Sequence, residues 1–481
     1  MTSMLRPVDL KARVSGRTGT RGGQALASLV LQGGLRFLVS FLVGRFTGPA
    51  TLAVVSSGMS LANLLTLVWP TTTGEAASRF VARSRGEGSD VNAVAAFLGR
   101  RTLLAALPLS ILSIPIWLHL GGTLAGAGVI ALLVASFSCY CFARGVHYGA
   151  GQTSRQLKWD LVTTTSAVAG VLLVLLSEVP TILVLGVLAV TYGVYALACW
   201  PWQAGGGLGP AARREIDVFV AWGSLGTLAS AGFAQFAMIV AVAVAGHAEA
   251  GQFAAAMVLA APAAMVANSL AQVLFPSMAE ALGRGDTEAV RWQLDQSTRA
   301  LTAIMVLIFG VVVIGCRPLV ELVWGSRYAE AAQVAPLLLI PAMWRSIASP
   351  SQGAISVSTR GGIVFSSLAS VAGFAVGALV WWTMPQGWGV MGVATGYALG
   401  TLLIAAAIYV RAWTRSQQRW ATNSVLLILV SGLIWVISWQ LAERSTGFGV
   451  DLLAVGVFVV TWGVLQRRQL VSLWTRVRRR G

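Results

Sequence analysis

The sequence predicts an all-α polytopic membrane protein with about 14 transmembrane helices. They form two six-helix lobes related by pseudo-twofold symmetry, plus a C-terminal helix pair. Three observations predict this. Of the 481 residues, 56% are hydrophobic and 11% charged, where a soluble domain carries about 25% charged residues. Apolar runs of roughly 20 residues, long enough to cross a hydrocarbon core, recur along the chain. Two hairpins about 200 residues apart resemble each other, as transporter repeats do.

Apolar length and breaker residues place the spans at 24–44, 50–72, 102–119, 123–144, 161–177 and 180–200 in the first half. The second half gives 219–245, 250–275, 299–316, 334–356, 363–383 and 388–410, with a trailing pair at 422–442 and 449–466. The domain layout follows. Residues 1–22 form a cytoplasmic basic tail, 23–200 an N-lobe, 201–217 a cytoplasmic linker, 218–410 a C-lobe, and 411–481 the trailing pair with a basic tail. The first apolar run is too long for a signal core and is expected to remain as an anchor. Gly205 to Pro210, GGGLGP, reads as a flexible linker.

Net charge is +17, but the arginines sit in short loops between apolar runs, where they orient helices. One side collects Arg79, Arg83, Arg85, Arg100, Arg101, Arg144, Arg155, Arg213, Arg214, Arg411, Arg415 and both tails, whereas the other holds only Arg45, Arg317, Arg327 and Arg444. This bias predicts a cell-membrane protein with both termini cytoplasmic and no nucleic-acid partner. The loops 74–101, 202–217 and 276–298 are the longest, and all fall on the cytoplasmic side.

The first hairpin runs from Arg36 to Gly86, and its echo from Gln235 to Gly285. Superposing the two puts Gln235 on Arg36, Phe236 on Phe37, Arg284 on Arg85 and Gly285 on Gly86. In the first helix Gln24, Ser28, Gln32, Arg36 and Ser40 recur every four residues, so they line one slowly turning face. For the serines, bonding to neighbouring helices is the expected role. Arg36 is different: a guanidinium at mid-membrane costs about 2.5–3.5 kcal/mol on insertion scales and needs a partner or a hydrated cavity. Arg345 has the same character. With Ser349, Gln352 and Ser356 it shares one helical face, on a helix that Pro341 and Pro350 are expected to bend.

Asn63, Asn268 and Gln272 add amides at matching places in the two repeats. The stripes predict a central cavity between the lobes, and two guanidinium groups there suit an anion such as a diphosphate. The predicted cavity set is Arg36, Arg345, Gln32, Asn63, Gln235, Asn268, Gln272 and Gln352.

Carboxylates are scarce in the spans. Glu75 closes the second helix and is expected to pair with Arg79, one turn on; a gate or a cation-coupling role is the sharper alternative. Asp160, Glu178 and Glu249 sit at helix ends. His119, His147 and His247 are isolated at membrane edges, and Cys139, Cys141, Cys199 and Cys316 lack CxxC spacing. These patterns predict no metal site, no catalytic residues and no cofactor. Coupling to H+ or Na+ stays open.

LVGRFTGPATLAVVSSGMSLANLL, with its Gly48-Pro49 turn and the basic exit Arg79 to Arg85, resembles the opening of Wzx-type polysaccharide flippases. These belong to the multidrug/oligosaccharidyl-lipid/polysaccharide exporter superfamily. Cys141 to Gln152 resembles the family's fourth-helix exit, Ser349 to Ala354 ahead of Arg360 its tenth-helix counterpart, and Pro318 to Tyr328 the external segment before that helix. The resemblance covers residues 20–410. It implies alternating access and an undecaprenyl-diphosphate-linked oligosaccharide as substrate, for cell-surface polysaccharide biosynthesis. A polysaccharide polymerase and glycosyltransferases would be the partner enzymes, and membrane lipids the surroundings. The trailing helix pair departs from the twelve-helix pattern and resembles the fourteen-helix lipid II flippases in count. A drug exporter would want buried Asp or Glu where these spans carry arginine. A membrane-embedded glycosyltransferase or polymerase would want a sizeable external loop, and the external loops are short.

Overall fold

The structure, a computed structural model, describes residues 18–469 except 178, 204, 263–264, 266–285, 359, 419, 444–446 and 468. Among the described residues the regular structure is entirely helical. The helices are α1 (Thr18–Phe46), α2 (Pro49–Leu67), α3 (Pro70–Glu87), α4 (Val91–His119), α5 (Leu124–Gly149), α6 (Thr153–Leu176), α7 (Leu183–Cys199) and α8 (Pro210–Leu259). They continue as α9 (Thr287–Ile314), α10 (Cys316–Trp324), α11 (Ala331–Ser358), α12 (Arg360–Thr383), α13 (Gly389–Ser416), α14 (Ala421–Glu443) and α15 (Phe448–Leu465). Eleven of them are long and apolar enough to cross a membrane, and Leu183–Cys199 is a shorter apolar helix.

Within the described residues the expected spans fall on these helices, except that 50–72 is divided between α2 and α3; the latter part of the expected span 250–275 lies outside the described residues. The turn expected near 245–250 is a break within α8, where Gly246 takes φ 75° and ψ 178°. A positive φ is readily available only to glycine. By their contacts the helices form two compact units. Unit 1 holds residues up to Thr47 and Thr51–Ala243; unit 2 holds Gly48–Ala50 and Val244–Gly481.

Unit 1 contains a helix where a loop was expected. Residues 70–87 form α3, with Pro70 at its first position, where the missing N–H is no loss. Its end is a left-handed Gly88 (φ 69°), whose N–H reaches Arg85 O while Ser89 N reaches Ser84 O at 2.9 Å. This is the Schellman stop. The helix is amphipathic: Ala76, Ala77, Phe80 and Val81 are buried with Val94 and Leu98 of α4, Phe142 and Val146 of α5 and Ile216 and Val220 of α8. Gly74 packs against the Cys141 carbonyl, and a Cβ on Gly145 would collide with the Gly74 backbone. Small residues thus let α3 and α5 touch backbone to backbone. Asp90 caps α4 by accepting from Asn92 N at 3.1 Å, and its other oxygen accepts from Gly206 N at 2.8 Å. That bond pins the GGGLGP segment.

In unit 2 the trailing pair is built into the bundle. Trp462 Nε1 donates to Ala303 O at 2.9 Å, Trp420 Nε1 to Asp295 Oδ1 at 2.8 Å, and Ser438 Oγ to Val313 O at 3.1 Å. Gly310 of α9 leaves room for the Phe458 ring. Helix α11 runs through Pro336, Pro341 and Pro350 without leaving helical geometry. The segment expected as an external loop before it is folded. Helix α10 ends at Gly325 (φ 89°), and buried Tyr328 sits 5.9 Å from the Trp324 ring. Gln252 of α8 clamps this segment, donating to Arg327 O at 3.0 Å and accepting from Ala331 N at 3.1 Å.

Candidate functional site

Arg36 is held by two neighbouring helices of unit 1. Its Nη2 donates to Asn63 Oδ1 of α2 at 2.9 Å, and the guanidinium stacks 5.2 Å from the Phe137 ring centre of α5. Met59, Leu188 and Tyr192 close a small cavity beside it. Phe137, Tyr140, Tyr192 and Tyr195 stack into one aromatic wall, with ring centres 4.7–5.8 Å apart. Among the described residues no carboxylate pairs with Arg36. A guanidinium offers five N–H donors, and an amide with an aromatic face leaves its charge uncompensated. Such a site can receive an anion.

A second arginine of unit 1 has a different setting. Arg144, near the end of α5, donates to Gln32 Oε1 at 2.8 Å and to Ser28 Oγ at 3.0 Å, and its Nε lies 3.6 Å from Asp160 Oδ2 of α6. Ser28 also donates to Asp160 and accepts from Gln156 Nε2 at 3.0 Å, while the Tyr140 hydroxyl donates to Asp160 at 3.4 Å. The Asp160 side chain is 3% exposed and that of Arg144 16%. By sequence Arg144 is a loop cation and Asp160 a helix-end acid; in the fold both lie inside the unit as a buried ion pair.

This network also redirects the polar stripe of α1. Gln24 accepts from Thr153 at 2.9 Å, and Gln32 answers Arg144. Among the described residues of the predicted cavity set, Arg36 and Asn63 are the pair joined by a hydrogen bond, at 2.9 Å. A local signal was available: Gln156, Asp160 and Thr163 are spaced as one face of α6, opposite a stripe of matching polarity on α1.

Arg345 is half-buried on α11, close to Tyr397 of α13. Among the described residues it too has no carboxylate pair. Gln352 is half-buried two turns on, and Ser349 turns back to the Ser346 carbonyl at 2.9 Å. Gln235 is half-buried in the part of α8 that clusters with unit 1. Asn268 and Gln272 lie outside the described residues.

The expected Glu75–Arg79 ion pair is replaced by other contacts. Both residues are exposed on α3 rather than at the end of α2. Arg79 stacks over Phe219 at 5.0 Å and Phe80 at 5.7 Å. The neighbouring cations take the pairs: Arg83 with Glu87 and Glu215, both at 2.9 Å, and Arg101 with Asp217 at 2.6 Å. Among the described residues no group of three His, Cys, Asp or Glu is placed to hold a metal. His147 is buried and ties α5 to α7, with Nε2 3.2 Å from Cys199 O and Nδ1 3.0 Å from Gln152 Oε1. The four cysteines are free, and burial pushes the Cys316 thiol up to about 11.

Residues 212–339 match the family described as lipid II flippase MurJ. No curated protein matches the sequence. Solved structures share the fold. An inward-facing multidrug resistance MATE family transporter of the MOP superfamily is 14% identical, with a TM-score of 0.63 over 81% of this chain and 94% of that one. An outward-facing MATE family transporter is 15% identical, with a TM-score of 0.55 over 86% and 99%. A MOP-superfamily transporter from Pyrococcus furiosus, described as having a binding pocket of reverse polarity, is 15% identical, with a TM-score of 0.53 over 83% and 95%. These are families of transporters, not enzymes. The chain is thus a multi-pass membrane protein with the fold of the MOP-superfamily transporters, and its stretch from α8 into α11 is similar to the lipid II flippase family.

Proposed function

We propose that this protein is a flippase. It moves an undecaprenyl-diphosphate-linked oligosaccharide across the cytoplasmic membrane by alternating access, for cell-surface polysaccharide biosynthesis. The observation that carries this reading is Arg36, seated against Asn63 and Phe137 with no carboxylate pair among the described residues. A guanidinium whose charge is uncompensated fits a diphosphate through bidentate hydrogen bonds. Arg345, with Gln352 on the same helix, offers the same chemistry in unit 2, and Gln235, Asn268 and Gln272 supply amides for sugar hydroxyls. Both termini are cytoplasmic, and the polymerase and glycosyltransferases of the same glycan are the partner enzymes.

The match of residues 212–339 to the lipid II flippase family favours a second substrate, lipid II itself. A cationic drug fits less well, because the buried Asp160 of unit 1 already faces Arg144. The test is reconstitution into vesicles with fluorescent lipid-linked substrates. Translocation of a diphosphate-linked glycan, lost in R36A, supports the reading. Transport of a cationic dye with no movement of any lipid-linked diphosphate would refute it.

A further inference from the structure

Within unit 1, α4 and the start of α8 lie side by side and run in the same direction. Gly206 N donates to Asp90 Oδ2 at 2.8 Å, and Arg101 pairs with Asp217 at 2.6 Å; each pair is separated by 116 positions. An equal offset at two levels fixes both the direction and the register. Val94 and Leu98 of α4 are buried in one cluster with Ile216 and Val220 of α8.

The Arg101–Asp217 bridge also decides where the neighbouring arginines emerge. A helix turns about 100° per residue. Arg100 stands one residue before Arg101, and Arg214 three residues before Asp217. In parallel helices whose bridging side chains point at each other, both steps lead to the same side of the seam. Arg100 and Arg214 are exposed, and among the described residues neither has a hydrogen bond or an ion pair. The acids around them are engaged: Asp217 with Arg101, Glu215 with Arg83, and Asp90 with backbone N–H groups.

Toward the membrane centre the same helical faces turn apolar. On α4, Leu104, Leu107 and Ile111 follow Arg100 and are 57–67% exposed; on α8, Val218, Trp222 and Leu225 follow Arg214 and are 46–60% exposed. Steps of three and four keep each set on one face. Both helices are long and apolar enough to cross a membrane, so these side chains meet acyl chains. Each stripe is ~16 Å long at about 1.5 Å per residue, roughly half of a ~30 Å hydrocarbon core. That is the depth of one leaflet. Two uncompensated guanidinium groups above two stripes of acyl length describe an amphiphile with an anionic head. Arginine takes a phosphodiester through paired hydrogen bonds, whereas the ammonium of a zwitterionic headgroup is repelled by the same two cations.

We propose that the α4–α8 seam binds an anionic phospholipid of the phosphatidylglycerol type, with its phosphate between Arg100 and Arg214 and its acyl chains along the two stripes. On the orientation proposed for the chain, this lipid belongs to the cytoplasmic leaflet. The site is independent of which substrate is transported.

The test uses the full chain in phosphatidylcholine nanodiscs carrying a diazirine-bearing phosphatidylglycerol, with a phosphatidylcholine probe of identical chains as comparison. After photolysis, adducts are mapped by mass spectrometry. Phosphatidylglycerol adducts should concentrate on residues 104–111 and 218–225. A basic side chain at an anionic surface is worth about fivefold in affinity, so R100Q and R214Q should each lower these adducts by a few-fold and the double variant should bring them to the phosphatidylcholine level. R213Q, one residue away on a different face of α8, should label like the parent protein. All three positions are exposed, so the variants are expected to fold, and thermal melting of each checks this. Excess inorganic phosphate at constant ionic strength should leave the labelling in place. Equal labelling by the two probes, parental labelling of the double variant, or an equal fall in R213Q would overturn the proposal. Displacement by phosphate alone would make the seam a free-anion site and overturn it as well.

Discussion

Arg144 of α5 and Asp160 of α6 face each other inside unit 1, Nε to Oδ2 at 3.6 Å, and the α1 residues Ser28 and Gln32 complete their hydrogen bonds. The pair therefore fastens three helices. Removing one partner strands a buried charge, a loss of about 3–5 kcal/mol. D160N and R144Q should each lower the melting temperature and membrane abundance sharply. The double variant should lose less than the sum of the two, because no charge is left alone. Thermal unfolding of the purified variants measures this, and additive losses would show that the pair is not coupled.

Arg36 should behave in the opposite way. Its partners are an amide and a ring, so R36A leaves no stranded countercharge, and the protein should insert and accumulate normally while transport falls to background. R36K keeps the charge but loses the fork geometry, and transport should drop by about tenfold. N63A removes the 2.9 Å acceptor that orients the guanidinium and should fall between the two. Vesicle transport assays with immunoblots of the membrane fraction separate these outcomes.

The contact of α3 with α5 gives a stability prediction. Any side chain at Gly145 meets the Gly74 backbone, and backbone cannot move aside as a flexible side chain does. G145L should destabilise by at least the 1–3 kcal/mol typical of overpacking. Gly34 has open space around the position of a Cβ, so G34A should leave the melting temperature unchanged.

Glu75 has lost its proposed partner, since Arg79 stacks on Phe219 and Phe80. If the carboxylate serves coupling, E75Q should slow transport and flatten its dependence on pH and sodium, with the melting temperature unaffected. Normal transport by E75Q over a range of pH and sodium removes Glu75 from the cycle.

The orientation is testable by labelling. A cysteine at Gly207 should resist an impermeant maleimide added to intact cells, whereas one at Gly447 should react. Both positions lack close neighbours around a new Cβ. Background from Cys316 should be low, because the thiol is buried and its pKa of about 11 leaves almost no thiolate at neutral pH. Labelling at Gly207 from outside would reverse the topology.

Local features were legible in the sequence. Apolar length and Gly or Pro punctuation marked the spans, including the break that became Gly246, because crossing a hydrocarbon layer constrains each helix by itself. Arg36 stood out because a charge inside an apolar run is anomalous wherever the helix packs. Helix α3 was hidden behind its arginines, and its buried face becomes visible only once Phe142, Val146 and Ile216 close over it. Asn63 and Arg36 were both singled out, yet nothing local joined them across a separation of 27 positions. Arg144 and Asp160 looked like a loop cation and a helix-end acid, and tertiary structure made them a buried pair. The reason is that hydropathy acts along one helix, whereas a partner depends on which faces of separate helices meet, and only packing decides that.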